Sequence, residues 1–164
     1  MSEALPIVYL ARHGETAWSL TGQHTGLTDL PLTANGERNA RSLGERLKGL
    51  SLAKVFTSPL QRAARSCDLA GFGAVAKVDR DLVEWDYGQY EGLRSAEIRS
   101  QRPDWQLVRD GCPGGESPGD VAARADREGS WPSTNTPSSR RARSGTSTRS
   151  ISGASSWARS LRDA

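Results

Sequence analysis

Two short apolar runs, each broken off by a polar loop and followed by a helical pattern, constrain this chain most. Ile7-Val8-Tyr9-Leu10 stops at Arg12-His13-Gly14, and Lys54-Val55-Phe56-Thr57 stops at Ser58-Pro59. A β-branched run of this length that ends in charged residues suits a buried parallel strand. Thr33 is placed as a helix N-cap, with Ala40, Leu43, Leu47 and Leu50 behind it at helical spacing and Gly49 as a terminator. Ser58 reads as a capping hydroxyl with Pro59 at the first helical position. Leu60, Ala63, Ala64, Cys67 and Ala70 then give that helix an apolar side. Residues 75–78 form a third, weaker strand. This alternation predicts an α/β fold, a parallel-dominated sheet flanked by helices. Residues 11–26 would leave the carboxyl end of the first strand, where open sheets of this kind bind ligands.

Beyond Arg94 the elements shorten. A helix around residues 96–101 ends at Arg102-Pro103, Cys112-Pro113-Gly114-Gly115 is a loop, and Ser117-Pro118 opens a helix through Val121, Ala122 and Ala125. That helix should run several turns into another strand, yet it meets Gly129, Ser130 and Pro132. Residues 128–164 hold one Ile, one Leu and two Trp against eleven Ser and six Arg. Such a segment buries too little apolar surface to offset the entropy of ordering it. The expected organisation is a domain over residues 1–127 and a low-complexity, disordered Ser/Arg-rich tail over residues 128–164.

The net charge of +3 also comes from the tail, where six Arg face only Glu128 and Asp163. No aromatic-studded basic groove accompanies it, so a nucleic-acid partner is not expected. Cys67 and Cys112 are too few for a disulfide framework and lack metal spacing. No run is long enough to span a membrane and none resembles a signal peptide, so a cytoplasmic protein without a membrane partner is expected.

Phosphoryl transfer needs a nucleophile, cations for the non-bridging oxygens and an acid for the leaving oxygen. His13 can be phosphorylated, splitting one difficult step into two. Arg12 and Arg62 can fork onto phosphate oxygens, each charge-assisted bond contributing roughly 1.5–3 kcal/mol. Arg62 falls in the first turn after Ser58-Pro59, where helix amides also favour an anion. Glu84 is a candidate general acid. Each residue has a plainer reading: a lone His is often structural, Ser-Pro is often only a cap, and Glu84 beside Trp85 can be a surface carboxylate. Their order along the chain, each after a strand or in a loop, favours the chemical reading.

Residues 5–127 resemble the histidine phosphatase superfamily, the phosphoglycerate-mutase-like proteins. The resemblance rests on Arg12-His13-Gly14-Glu15-Thr16, Ser58-Pro59-Leu60-Gln61-Arg62-Ala63 and Glu84-Trp85-Asp86-Tyr87-Gly88-Gln89-Tyr90-Glu91-Gly92. Gly22-Gln23-His24-Thr25-Gly26-Leu27-Thr28-Asp29, Arg109-Asp110-Gly111-Cys112 and Gly115-Glu116 look closest to acid phosphatase and sedoheptulose-bisphosphatase-like members. Mutases usually carry Asn at the position of Ser19, which tilts the resemblance toward hydrolysis. It implies a phosphomonoester hydrolase acting on a small phosphorylated metabolite through phospho-His13. Arg12 and Arg62 would hold phosphate, and Glu84 would donate the proton. Thr25 and Gly26 would approach substrate through backbone groups, with Ser19, Gln23 and Tyr87 near the pocket. It implies no metal and no organic cofactor. Mutase-type phosphoryl transfer and a non-catalytic remnant are the alternatives.

The resemblance also implies a second pocket His, in a Ser-His-Gly-like segment after a central strand. This chain has only His13 and His24. The family's C-terminal part is therefore expected to be missing or frame-shifted after Arg127, with activity impaired. Arg143-Ser144-Gly145-Thr146-Ser147 is close to such a segment read one base late; a genuine tail on a divergent protein is the alternative. Limited proteolysis should remove residues 128–164 first, by cuts at their arginines, and a protease-resistant tail would overturn the expectation of disorder.

Overall fold

In a computed structural model of the chain, residues 7–129 and 147–150 are described. They fall into two units, one holding the first and last strands and the other beginning at His13. In the first unit, β1 (Ile7–Leu10) pairs in parallel with β4 (Ser147–Ser150), Ile7 opposite Ser147 and Leu10 opposite Ser150. Four residues of the expected tail are therefore strand; beyond them and the helix end at Gly129, that tail lies outside the described residues.

The second unit runs α1 (Ala17–Thr21), α2 (Ala34–Leu47), β2 (Phe56–Thr57), α3 (Gln61–Leu69), β3 (Lys77–Val78), α4 (Ser95–Gln101), α5 (Leu107–Asp110) and α6 (Pro118–Gly129). The strand–helix–strand step is β2–α3–β3, with Phe56 opposite Lys77 and Thr57 opposite Val78 in parallel register. Both strand pairs are parallel, as the alternation predicts. β2 and β3 are shorter than expected. Val75 and Ala76 donate their amides to the Phe72 carbonyl, 3.1 and 2.9 Å away, and close the turn after α3 instead of extending the strand.

Helix ends follow the sequence signals with one correction. Thr33 caps α2 by accepting from the Gly36 amide (3.0 Å), and Gly49 takes φ +86° just beyond its end. Ser117 caps α6 by accepting from the Asp120 amide (3.2 Å). Ser58 and Pro59, however, stand outside α3, whose N-cap is Leu60. The Ser58 hydroxyl accepts from the Leu60 amide (3.3 Å), two residues on, while Asp29 Oδ1 accepts from the Gln61 amide (2.8 Å). A carboxylate from a distant loop thus satisfies the helix donor that the local hydroxyl was expected to take.

The buried apolar cluster is Tyr87, Tyr90, Ile98, Trp105 and Cys112, with Trp85, Leu93 and Leu107 packed against it. It gathers around the segment between β3 and α4. Polar tips find partners, since the Trp105 indole donates to the Gly111 carbonyl (2.9 Å) and Arg102 donates to the Tyr90 hydroxyl (3.2 Å). Burial pushes the Cys112 thiol up to about 11, so it behaves as an inert apolar side chain.

α2 and the loop after His13 interlock through glycines. A Cβ on Gly14 would stand 2.2 Å from the Gly36 carbonyl oxygen, and one on Gly36 would stand 2.1 Å from the Glu15 carbonyl oxygen. Backbone meets backbone here, with no flexible side chain to give way. Alanine in place of Gly36 improves helix propensity by about 1 kcal/mol, but overpacking costs roughly 1–3 kcal/mol. Gly36→Ala should therefore lower the melting temperature by several degrees; an unchanged or higher value would show that the loop can move aside.

Candidate active site

The loop after His13 is built for rigidity. His13 Nδ1 lies 2.7 Å from the Gly14 carbonyl oxygen. A carbonyl can only accept, so Nδ1 carries the proton and, in the neutral ring, Nε2 keeps its lone pair. The Gly14 amide donates to Ser66 Oγ (2.9 Å), and that hydroxyl donates to the Arg62 carbonyl (2.7 Å). Two hydrogen bonds thus tie the His13 loop to the α3 turn that carries Arg62. Glu15 accepts from Thr33 Oγ1 (2.6 Å) and Asn35 Nδ2 (3.1 Å), and these bonds hold its carboxyl below the usual carboxylate range. Thr16 is fully buried and forms a reciprocal capping box with Ser19 at the start of α1.

Arg62 is 1% exposed. Its Nη1 donates to the Thr28 carbonyl (2.9 Å), and Nη2 donates to the carbonyls of Gly26 (2.7 Å) and Thr25 (3.2 Å). On the other side, Glu91 accepts from the Gly26 amide through both oxygens (2.9 and 3.0 Å) and from the Thr28 amide (3.0 Å). Gly26 has no room for a side chain, since a Cβ would stand 2.3 Å from the Trp85 carbonyl oxygen and 3.1 Å from Tyr87. Gln23 bonds the Gly92 carbonyl (2.8 Å), and His24 exchanges backbone bonds with Leu93 (2.8 Å) and Gly92 (2.9 Å). The segment from Gln23 to Thr28 is therefore fixed along its length to residues 85–94.

The segment bearing Glu84 is held in a similar way. Arg124 donates to the carbonyls of Asp81 (2.8 Å) and Val83 (2.9 Å) and forks onto Glu116 (2.7 and 3.0 Å). Glu116 in turn accepts from the Asp86 amide (2.9 Å) and is held below the usual carboxylate range, first by the Arg124 hydrogen bond. Glu84 itself is exposed, one oxygen accepting from the Trp85 amide (2.9 Å).

The expected site residues are thus distributed unevenly. Gln23, Thr25, Gly26, Arg62 and Tyr87 share one cluster, and His13 is tied to it through Gly14 and Ser66. Arg12 lies in the unit of β1 and is exposed. Ser19 is engaged in the capping box, and Tyr87 is 3% exposed, its ring 4.6 Å from that of His24. The Gly26 amide and carbonyl, expected to approach substrate, are taken by Glu91 and Arg62. His24 also packs edge-on to Trp105, with Nε2 3.2 Å from Ser95 Oγ; burial above all lowers its basicity.

Sequence reasoning assigned no role to Ser66, Glu91, Glu116 or Arg124. Glu91 and Glu116 stand inside motifs that carried the resemblance, but nothing in their spacing shows that they accept from backbone amides. Among the described residues no group of three or more His, Cys, Asp or Glu could hold a metal ion, and no helix is long and apolar enough to cross a membrane.

Over 119 residues the chain is 47% identical to a protein of Mycobacterium tuberculosis named acid phosphatase, which matches 71% of this chain and 58% of that one. It is 38% identical to a Saccharomyces cerevisiae protein named sedoheptulose 1,7-bisphosphatase, over 77% of this chain and 55% of the relative. The chain thus spans little more than half the length of these curated relatives. A solved structure of a Mycobacterium tuberculosis open reading frame is similar at a TM-score of 0.68 and 43% identity, over 74% of this chain and 62% of that one. Residues 8–131 match the model of the histidine phosphatase superfamily, branch 1, and the chain belongs to that family.

Proposed function

We infer that this chain is a phosphomonoester hydrolase that works through a phosphohistidine on a small phosphorylated metabolite. The observation that carries the reading is the bond from His13 Nδ1 to the Gly14 carbonyl, 2.7 Å, which leaves Nε2 as the nucleophilic nitrogen. Attack by Nε2 on phosphorus forms the N–P bond as the ester P–O bond breaks, and the departing oxygen takes a proton from Glu84. Water then cleaves the N–P bond, releasing inorganic phosphate and the free ring. Arg62 neutralises the phosphate oxygens. A phosphorylated sugar is the substrate class that the relative named sedoheptulose 1,7-bisphosphatase suggests.

The activity is reduced in this chain. Its only histidines are His13 and His24, and the His24 ring is packed among Tyr87, Trp105 and Ser95. One preorganised charge-stabilising donor fewer in a phosphate pocket costs about 10²–10³ in rate.

Brief incubation with nitrophenyl phosphate followed by an alkaline quench should trap acid-labile phosphate on His13, and His13→Ala should remove both the trapped phosphate and the turnover. Turnover that survives in His13→Ala would refute the assignment, and a wild-type chain with neither phosphate nor turnover would establish the non-catalytic remnant.

Proton donation by Glu84 is tested separately. Glu84→Gln should slow esters with poor leaving groups by about 10²–10⁴, and nitrophenyl phosphate much less, because its leaving oxygen needs little protonation. Equal losses on both substrates would assign Glu84 to substrate positioning instead.

A further inference from the structure

We propose that Glu91 is a positioning residue for Arg62, and that it sets the phosphate-binding guanidinium by holding the amide side of the loop that Arg62 holds by its carbonyls. This rests on the reading of Arg62 as a phosphate ligand.

The peptide unit between Thr25 and Gly26 is the clearest case. Its carbonyl accepts from Arg62 Nη2 (3.2 Å), while its amide donates to both oxygens of Glu91 (2.9 and 3.0 Å). In a trans peptide these groups point to opposite sides. One peptide is therefore suspended between a carboxylate and a guanidinium, and its dipole is aligned with both. The pattern repeats along the loop: Gly26 and Thr28 offer their carbonyls to Arg62, and their amides go to Glu91. The three acceptors that fix Arg62 keep their places because the intervening amides are anchored. Gly26 reinforces this, since a Cβ would also stand 2.8 Å from Glu91 Oε2.

Glu91 acts on the main chain of the loop. Its hydrogen bonds run to backbone amides of the loop, on the side away from the carbonyls that meet Arg62. Two effects of removing it therefore oppose each other. Taking a negative charge from the neighbourhood of an anion site strengthens anion binding. Releasing the loop lets the guanidinium wander, and misplacement of about an ångström costs up to roughly a hundredfold. Positioning requires the second effect to win.

Two measurements on the full chain decide it. In amide hydrogen exchange followed by NMR, Gly26 and Thr28 should be protected together in the wild type, and that shared protection should be lost in Glu91→Ala. Binding of inorganic phosphate, measured by calorimetry, should weaken roughly ten- to hundredfold in Glu91→Ala. It should stay within about threefold of wild type in Glu91→Gln, whose carbonyl oxygen still accepts from the loop. Phosphate affinity that is unchanged or tighter in Glu91→Ala would overturn the proposal, as would independent exchange of the two amides in the wild type. If the wild type shows the shared protection but binds no phosphate, the phosphate-pocket reading falls and takes this proposal with it. That outcome is distinguished from failure of the Glu91 step by the intact protection of Gly26 and Thr28.

Discussion

A guanidinium almost wholly removed from water must have its charge met by oriented dipoles, because a buried charge without partners is among the costliest features a fold can carry. Arg62 meets this demand with the carbonyls of Thr25, Gly26 and Thr28. Those carbonyls cannot be supplied by a loose loop, so the demand propagates. The loop is anchored through its amides to Glu91, and α3 is fixed by Asp29 at the Gln61 amide. The His13 loop reaches the same helix through Ser66. Much of the geometry around the site follows from placing one cation out of solvent.

The same solution recurs at the other end of the site segment. Arg124 takes carbonyls at Asp81 and Val83, and Glu116 takes the Asp86 amide. There the cation and anion also meet each other directly, 2.7 Å apart and largely out of solvent. The pair therefore holds the stretch that carries Glu84 while Glu84 itself stays exposed. A loop with no regular ladder of its own is given one by two side chains of opposite charge.

Much of this architecture is legible in the residues. Thr33 ahead of α2, Gly49 after it and Ser117 ahead of α6 act within a turn of their own position, and local pattern reports them well, whereas the run at Ile7–Leu10 forms its strand against Ser147–Ser150 and leaves Ile7 and Leu10 exposed rather than buried as expected. Ser58 shows where that logic stops. Its local cap was displaced by Asp29, 32 residues before the Gln61 amide that it holds, and no window of neighbouring residues contains that competitor. The chemistry proposed for His13, Arg62 and Glu84 rests on the order in which those residue types recur, each after a strand or in a loop. The roles of Glu91, Glu116 and Arg124 were hidden for the opposite reason. Their partners are main-chain groups, which every residue possesses, so side-chain identity gives no hint of the match.

The suspended peptide at Thr25–Gly26 also has a bearing on how the chain acquires its shape as it is made. The carbonyls of this loop wait for a residue more than thirty positions later, and its amides wait for one about 65 positions later. Synthesis is vectorial, so a nascent chain that has not yet exposed residue 91 holds these amides only against water. The helix cap at Gln61 can close early, while the carboxylate that locks the loop arrives late. The loop from Gln23 to Thr28 is thus made well before the residues that hold it and is among the last segments to be fixed, its conformation decided by a residue that emerges long after it.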